Sequence, residues 1–508
     1  MLVFLYFTPM ESDFFIQMTA YNSPQTIRRL TELPLPHEAV PTLTTSVALI
    51  VPPSVFVVPR GWEWTHTAPF EGPSILAGLI KGLGYPFRLF DQREEFNPEQ
   101  VRGLTADFDI VGISVWGDSF SYIRRVVEIL KEENPERPVI LGGPLATAIP
   151  QLLLETTGAD MVVAGEGELT LTELLDYFSG NQWAVPLLQI PGVVWRGDSG
   201  VIHTNQAREQ LSDLDVIPFQ DFSVWDRFKD HDIPEIYLSY SRGCACNCTF
   251  CYRAFPKLSY KSVERVKREI DYYSDRGFRM AWWNDLTFVT DRSYVHRLMH
   301  TVFTDHQFRW TAFNRVTGLD EETLLLMKEK GLDIVLYGME SVSASVLDGY
   351  RKGISRSAMI DTIQLHRRCG VKIGGLFIIG APEDNHDSMN ELVAFCNEFQ
   401  EVTRVKYLSA LPGTDFYQRC LQEGLIRDEV AHLEWLSREQ SVEEDIEQPG
   451  FVSFCTNLTK KELRDLYRDI NYRIEVRPYD YRVQGNVFLD RAEKFHSRKP
   501  HQPENVRR

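Results

Sequence analysis

The sequence predicts an α/β protein that contains an open doubly wound sheet followed by a partial barrel. Two observations predict it. Short apolar, β-branched runs alternate with amphipathic segments between residues 71 and 178, and the alternation resumes over six consecutive units between residues 236 and 414. Such alternation is typical of parallel strands joined by helical crossovers. The chain after residue 428 is helical and charged in pattern, which predicts a small, mainly helical C-terminal region.

A chain of 508 residues exceeds what one compact core supports, so we expect several domains. The predicted N-terminal segment and Rossmann-like domain occupy residues 1–180, and a linker follows at 181–232. A partial (β/α)6 barrel of the TIM type is predicted at 233–428, and the helical C-terminal region at 429–508. The linker is rich in Gly, Pro and polar residues and carries one strand-like piece, Gly192–Arg196, which predicts a small hairpin.

Polar or glycine-rich segments follow the strands of the second half of the chain. Asn284-Asp285, Asn314-Arg315 and Gly338-Met339-Glu340-Ser341 each come directly after a predicted strand. Because the carboxyl ends of barrel strands meet at one mouth, these segments should lie together. The side chains expected there are those of Cys244, Asp285, Arg315, Glu340, Glu383 and Thr414.

Charge and hydropathy argue against two classes of protein. A formal net charge of −17 would repel a nucleic acid, so we expect no nucleic-acid partner. No run of about 18 apolar residues occurs, so we expect no membrane span. The opening segment MLVFLYFTPM lacks the basic leader and small-residue cleavage site of a signal peptide. These features predict a cytoplasmic protein.

Four of the eight cysteines fall between residues 244 and 251. A disulfide framework would be spread along a short secreted chain, so crowded cysteines indicate metal ligation instead. Cys244-x3-Cys248-x2-Cys251 offers three thiolates on one loop, whereas a four-iron cluster has four corners. The pattern therefore predicts a cluster with one open iron.

A structural zinc site is the alternative interpretation of this loop. Structural zinc takes four closed ligands, commonly two separated pairs, and no second Cys/His pair stands at suitable spacing. Cys246 would be a cramped fourth ligand, and we interpret it as a bystander.

Residues 236–256, IYLSYSRGCACNCTFCYRAFP, resemble the cluster-binding segment of the radical S-adenosylmethionine (radical-SAM) superfamily. The resemblance implies a [4Fe–4S] cluster whose open iron binds S-adenosylmethionine (SAM) and cleaves it to a 5′-deoxyadenosyl radical. Asn284 and Asp285 would accept hydrogen bonds from the SAM amino group, and Arg315 would pair with its carboxylate. Glu340 or Ser341 would contact the carboxylate or the ribose of SAM. Gly380 would let the backbone approach the adenine of SAM closely. For each singly, an ordinary strand-end role is the alternative.

Residues 71–178 resemble the cobalamin-binding domain that precedes the radical-SAM barrel in class B radical-SAM methyltransferases. The matching pieces are GPSILAGLIKGLG, DIVGISV, GGPLATAIP and VVAGEGELT. The residues expected to hold cobalamin are Ser114, Gly142, Gly143, Thr147, Gly165 and Glu166. Trp62, Trp64 and Trp116 are candidates to wall the corrin, with core packing or a substrate contact as the alternative.

Two departures from cobalamin enzymes stand out. The motif Asp-x-His-x-x-Gly is missing, and Leu145 follows Gly-Gly-Pro where relatives often carry His. Leucine cannot ligate cobalt, so cobalamin would bind without a histidine from this loop. The remaining alternative is a vestigial domain without cofactor.

These features together predict a cobalamin-dependent radical-SAM methyltransferase. It would act on an unactivated carbon or on phosphorus of a small biosynthetic intermediate, with electrons from an external flavodoxin or ferredoxin. The alternatives are a cyclisation, ring contraction or other rearrangement without methyl transfer, and a non-catalytic iron–sulfur or cobalamin sensor.

Overall fold

The structure is a computed structural model that describes residues 22–53, 68–226, 235–303, 308–437 and 452–475. The predicted Trp62 and Trp64 contacts and the C-terminal end of the chain lie outside these ranges. Among the described residues, no helix combines the length and apolar composition needed to cross a bilayer.

The first half of the chain forms a seven-stranded sheet. Its strands are β1 Val47–Val51, β2 Phe87–Asp91, β3 Ile110–Ser114, β4 Val139–Gly142, β5 Met161–Val163, β6 Val193–Arg196 and β7 Ile202–Thr204. The strand order is β2-β1-β3-β4-β5-β6-β7. The first five strands are parallel, and β6 and β7 add to β5 as an antiparallel pair. The hairpin expected within the linker therefore extends this sheet.

Helices cover both faces of the first sheet, which confirms the doubly wound architecture. They are α1 Pro24–Thr31, α2 Glu71–Gly82, α3 Phe120–Glu133, α4 Pro144–Ala148, α5 Pro150–Thr157 and α6 Gly167–Ser179. Alternate strand residues serve the two faces, because side chains alternate along a strand. Ala48 and Ile50 join the core with α3 and α5, whereas Val47 packs with Ile80 and Leu174 from α2 and α6.

The second half of the chain forms a six-stranded sheet, in the order β8-β11-β12-β13-β14-β15. Its strands are β8 Glu235–Leu238, β11 Met280–Trp283, β12 Arg309–Asn314, β13 Leu332–Glu340, β14 Lys372–Ile379 and β15 Val402–Tyr407. Each neighbouring pair is parallel. A short antiparallel pair, β9 Ser241–Arg242 and β10 Ser259–Tyr260, flanks the cysteine loop. The predicted six-unit open barrel is thus confirmed.

Helices cover the outer face of this sheet, where apolar strand residues such as Trp283, Trp310 and Tyr337 are buried. They are α7 Val263–Asp275, α8 Arg292–Val302, α9 Glu321–Glu329, α10 Ala344–Gly349, α11 Arg356–Cys369, α12 His386–Glu398 and α13 Asp415–Gln422. Helix α11 illustrates how the sequence sets their limits. Ser355 caps its first turn by accepting from the amide of Ala358, and Gly370 ends it at a φ of 60°.

Two described helices of the C-terminal region close the fold. They are α14 Glu429–Leu436 and α15 Lys460–Glu475. Helix α15 packs against β15 and α12, and α14 packs against α3 of the first sheet. The C-terminal region therefore contacts both halves of the molecule. The domain boundaries at residues 180, 232 and 428 stay predictions.

Candidate functional site

The cysteine loop leaves β9 at the carboxyl end of the barrel sheet. Cys248 is buried, whereas Cys244, Cys246 and Cys251 are partly exposed. The amide of Cys246 donates to the Sγ atom of Cys244 at 3.4 Å. Burial raises the pKa of Cys251 to about 11, and binding of iron would displace that proton because thiolate is the ligating form.

Among the residues that the structure describes, no group of three or more His, Cys, Asp or Glu side chains is arranged to hold one metal ion. A cluster does not require that arrangement, since each thiolate binds a different iron.

Arg315 links the cysteine loop to the segment that follows helix α10. Its Nη1 atom lies 3.8 Å from the Sγ atom of Cys248. Its Nη2 atom donates to the carbonyl oxygen of Lys352. The guanidinium thus lies beside a candidate cluster ligand. The pairing of Arg315 with the SAM carboxylate stays a prediction.

Glu340 and Lys352 form a buried ion pair at the same mouth. The Nζ atom of Lys352 lies 2.8 Å from the Oε1 atom of Glu340, and both side chains are less than a tenth exposed. Glu340 has a φ of 66°, which is uncommon outside glycine and turns its backbone sharply at the strand end. A Cβ on Gly338 would lie 2.2 Å from that carboxylate oxygen, so only glycine leaves room for the pair.

Asp285 is engaged with the strand that leads into the cysteine loop. Its carboxylate accepts from the amide of Ser241 at 2.7 Å, from the Ser241 hydroxyl and from the amide of Tyr240 at 3.4 Å. Burial raises its pKa to about 7. The neighbouring Asn284 is exposed and lines the large cleft described below. Asp285 therefore anchors the loop, whereas Asn284 faces open space.

Four further strand-end residues are held by local contacts. The Ser341 hydroxyl accepts from the amide of Ser343 at 3.2 Å. Gly380, at a φ of 93°, donates its amide to Asp384, and a Cβ there would meet Leu463 of α15 at 3.3 Å. Thr414 caps α13 by accepting from Tyr417. The Glu383 carboxyl lies against Gly349, at the side of the mouth.

A cleft of about 410 Å³ lies between the two halves of the molecule. Its floor is apolar and comes from the first sheet and from α2, and its lining includes Val47, Ile75, Ile110, Ile140 and Val163. Its rim holds the candidate cobalamin residues Ser114, Gly142, Gly143, Thr147, Gly165 and Glu166. The barrel contributes Ser239, Ser241, Arg242, Tyr252 and Asn284. Ligands of doubly wound sheets bind at this carboxyl edge.

The glycine-rich turns of the cleft are held close together. The Oγ1 atom of Thr147 donates to the carbonyl of Gly143 at 3.0 Å and accepts from the amide of Gly165 at 3.0 Å. Gly143 has a φ of 113°, and a Cβ there would lie 3.0 Å from the carbonyl oxygen of Val115. Within the described ranges, no atom lies within 4 Å of the position of a Cβ on Gly165, so the described residues leave that edge of the cleft open.

The residues of the cleft fit a corrin cofactor. The apolar floor suits the flat nucleotide base of cobalamin. The indole nitrogen of Trp116 is buried at the cleft wall, and it has no hydrogen-bond partner among the residues that the structure describes. A corrin carries amide groups that could accept from it. Leu145 is only 2% exposed and packs in the core, so it does not face the cleft.

Glu166 is occupied by an ion pair. Its Oε1 atom accepts from Arg242 at 2.9 Å, and its other oxygen accepts from the amide of Leu211. Glu168 accepts from the same guanidinium at 2.5 Å. Against the desolvation that burial imposes, Arg242 holds the pKa of Glu168 below its ordinary value. Glu166 thus joins the two domains, and its carboxylate has little capacity left for a ligand.

Two family models match the chain. The B12-binding domain matches residues 74–175, and the radical-SAM superfamily matches residues 238–396, which include the cysteine loop. The chain therefore carries a B12-binding domain followed by a radical-SAM domain. These domains imply a [4Fe–4S] cluster, SAM and cobalamin as its cofactors, as the sequence predicted.

Curated relatives cover both halves of this radical-SAM enzyme. An uncharacterized methyltransferase of Pyrococcus horikoshii is 27% identical over 403 residues, which are 75% of this chain and 84% of the relative. An anaerobic magnesium-protoporphyrin IX monomethyl ester cyclase of Rubrivivax gelatinosus is 24% identical over 378 residues, 70% of this chain and 67% of the relative.

A solved structure shares the fold. A radical-SAM methyltransferase of Kitasatospora setae, with cobalamin and a [4Fe–4S] cluster bound, superposes with a TM-score of 0.60 at 15% identity. The match covers 75% of this chain and 76% of that one. At this identity the likeness concerns the fold alone.

Three residues at the site were not singled out as site residues from the sequence. Lys352 pairs with Glu340, Tyr252 donates to the carbonyl of Pro144, and Arg242 pairs with Glu166 and Glu168. The spacing Gly338-x-Glu340 was a usable signal for Lys352. A glycine two residues before a strand-end carboxylate leaves space beside that carboxylate for a charged partner. The other two depend on contacts between domains, which local patterns do not carry.

Proposed function

We propose that this radical-SAM enzyme transfers a methyl group to an unactivated carbon or to phosphorus of a small molecule. The observation that supports it best is the shared cleft. Gly142, Gly143 and Thr147 of the B12-binding domain line the same cavity as Ser241 and Asn284 of the barrel. A methyl carrier on one side of that cavity would face a radical source on the other.

Cys244, Cys248 and Cys251 would hold the cluster, and its fourth iron would stay open for SAM. Arg315 would bring a positive charge to the cluster edge, since its guanidinium lies 3.8 Å from the Cys248 sulfur. Glu340 would accept from the SAM ammonium in competition with Lys352. Asn284 and Ser341 supply further hydrogen-bonding groups at this mouth, and Gly380 borders it. Asp285 would act by fixing the Ser241 end of the loop.

Ser114, Gly142, Gly143, Thr147 and Gly165 would form the cobalamin rim, with Glu166 supporting it through Arg242. No histidine of the Gly-Gly-Pro turn would reach the metal, because that turn carries the buried Leu145. When bound, the cofactors supply a methyl carrier and, with one electron from an external flavodoxin or ferredoxin, a 5′-deoxyadenosyl radical.

Product analysis tests this function. The enzyme is reconstituted anaerobically with iron and sulfide, with or without hydroxocobalamin, and given SAM and dithionite. We expect 5′-deoxyadenosine together with S-adenosylhomocysteine when cobalamin is present, and deoxyadenosine alone when it is not. Deoxyadenosine without S-adenosylhomocysteine, in protein shown to contain cobalamin, would contradict methyl transfer.

That contrary result would favour a second candidate, a ring-forming or other rearranging enzyme. The relative in Rubrivivax gelatinosus carries the name of a cyclase and matches 70% of this chain. Such an enzyme would produce deoxyadenosine and leave the SAM methyl group untransferred.

A further inference from the structure

Both ends of the cysteine loop are attached to the B12-binding domain. Arg242 stands two residues before Cys244, and Tyr252 directly follows Cys251. Each sends its side chain out of the barrel and into the first half of the molecule. The three candidate cluster ligands therefore lie between two attachment points on the other domain.

The first attachment is a buried ion triad. The guanidinium of Arg242 lies 2.9 Å from Glu166 and 2.5 Å from Glu168, and both carboxylates are less than a tenth exposed. Gly243 then joins Arg242 to Cys244 at a φ of 93°, where a Cβ would lie 2.0 Å from the carbonyl oxygen of Lys257. This glycine is tightly enclosed, so a shift of Arg242 passes directly to Cys244.

The second attachment is a hydrogen bond from a phenol. The hydroxyl of Tyr252 donates to the carbonyl oxygen of Pro144 at 2.7 Å. Pro144 follows the Gly142-Gly143 turn, which forms the rim of the cleft. The ring is packed closely on its other side, because a Cβ on Gly413 would lie 2.8 Å from it.

All five residues of these two attachments line the one cleft, namely Arg242, Tyr252, Pro144, Glu166 and Glu168. A ligand that fills the cleft contacts the groups that hold the cysteine loop. Sites that share contacts in this way influence each other's affinity, and the effect is reciprocal.

We propose that Arg242 and Tyr252 are positioning residues that couple the two cofactor sites, so that cobalamin and the cluster each raise the affinity of the protein for the other. The proposal rests on the proposed function, because it takes Cys244, Cys248 and Cys251 as the cluster ligands. It adds that the cleft and the loop form one cooperative unit.

Equilibrium dialysis of hydroxocobalamin tests the coupling. The full chain is compared with its cluster reconstituted and after removal of iron by a chelator. We expect the cluster-loaded protein to bind hydroxocobalamin about fivefold more tightly or better, the lower end of typical couplings between sites. Hydrogen exchange supplies a second measurement. Peptides covering residues 242–252 should gain protection when hydroxocobalamin is added.

Three variants separate the attachment from general damage. Tyr252→Phe removes the hydroxyl and keeps the ring, and we expect it to reduce the affinity ratio about threefold or more, the effect of one lost hydrogen bond. Glu168→Gln weakens the other attachment and should reduce the ratio similarly. Tyr260→Phe is the matched control, because its hydroxyl bonds to Thr290 on an exposed surface and neither residue is part of the cleft lining. This variant should leave the ratio unchanged.

The outcomes are distinct. Equal affinities for hydroxocobalamin with and without the cluster would overturn the coupling, as would an unchanged ratio in Tyr252→Phe. Failure of the wild-type protein to hold a cluster or cobalamin at all would overturn the proposed function and the coupling with it. Circular dichroism verifies that each variant is folded. If Glu168→Gln does not fold, Tyr252→Phe alone still tests the coupling.

Discussion

The ammonium of Lys352 lies 2.8 Å from the carboxylate of Glu340, and both side chains are more than nine-tenths buried. The pair stands at the end of β13, next to Arg315, which donates to the Lys352 carbonyl. An amino group of SAM would meet a carboxylate that already has a cationic partner. Lys352 therefore keeps Glu340 oriented, and we expect the SAM ammonium to compete with Lys352 for this carboxylate.

Removal of one partner should be costly. We expect Lys352→Met to lower the free energy of unfolding by about 3–5 kcal/mol, because it leaves a buried carboxylate without a counter-charge. Urea unfolding measures this loss. The double variant Lys352→Met/Glu340→Met should recover most of it, since an apolar pair can replace a buried ion pair. It should nevertheless bind SAM poorly, and retention of normal SAM affinity would contradict the role given to Glu340.

Gly338→Ala tests the space around the same pair. The new Cβ would lie 2.2 Å from a Glu340 oxygen and 2.9 Å from the Lys352 nitrogen. We expect a loss of about 1–3 kcal/mol in stability, typical of overpacking, together with weaker SAM binding. Gly117→Ala is the matched control, because no atom of the described part of the chain lies within 4 Å of its added Cβ. Equal behaviour of the two variants would count against a crowded Glu340 carboxylate.

The cysteines should divide into three ligands and one bystander. We expect Cys244→Ala, Cys248→Ala and Cys251→Ala each to abolish deoxyadenosine formation and to lower the iron content per chain. Cys246→Ala should retain both, because three thiolates on this spacing already serve the cluster. Iron and sulfide assays on the four variants measure the division. Loss of the cluster in Cys246→Ala alone would show that the ligands were chosen wrongly.

Asp285 should make stability depend on pH. Burial raises its pKa from 3.8 to about 7. The unfolded chain releases this proton near pH 4 and the folded one near pH 7, so the contribution to stability is complete below about pH 4 and is lost as the pH rises through 7. Asp285→Asn keeps an acceptor for Ser241 and cannot ionise.

Urea unfolding at pH 5 and pH 8 distinguishes the two proteins. We expect the wild type to lose more stability than Asp285→Asn over this interval, by at most about 1.4 kcal/mol per pH unit. Identical changes in both proteins would argue that the carboxyl is not desolvated.

Thr147 should affect cobalamin without affecting the cluster. Its hydroxyl joins the Gly143 carbonyl to the Gly165 amide across the cleft rim. We expect Thr147→Val to weaken hydroxocobalamin binding about threefold to tenfold, the effect of losing one to two modest hydrogen bonds. The iron content of protein reconstituted without cobalamin should stay at the wild-type level. An unchanged affinity of Thr147→Val for hydroxocobalamin would contradict a role for Thr147 in binding cobalamin.

The strands, the crossover helices and the cysteine loop were predictable because they depend on local patterns. Asn284-Asp285 follows β11, and the segment Gly338-Met339-Glu340-Ser341 lies at the end of β13, as the sequence predicted. Partners of charged side chains were not predictable in this way. Arg242 meets Glu166 across 76 residues of sequence, and whether Asp285 faces a ligand or the Ser241 amide depends on how the loop folds back. The hairpin after residue 192 joined the first sheet because β5 would otherwise present an unpaired edge.

We infer that one iron of the cluster has no cysteine ligand and is free to bind SAM. Electron paramagnetic resonance of the reduced cluster tests this inference most directly. Protein reconstituted with iron and sulfide alone is reduced with dithionite and measured before and after addition of SAM. We predict a [4Fe–4S] signal whose g-values shift when SAM is added, in the wild type and in Cys246→Ala, and no such signal in Cys244→Ala. A spectrum that is identical with and without SAM would contradict a cluster held by three cysteines with its fourth iron free for SAM.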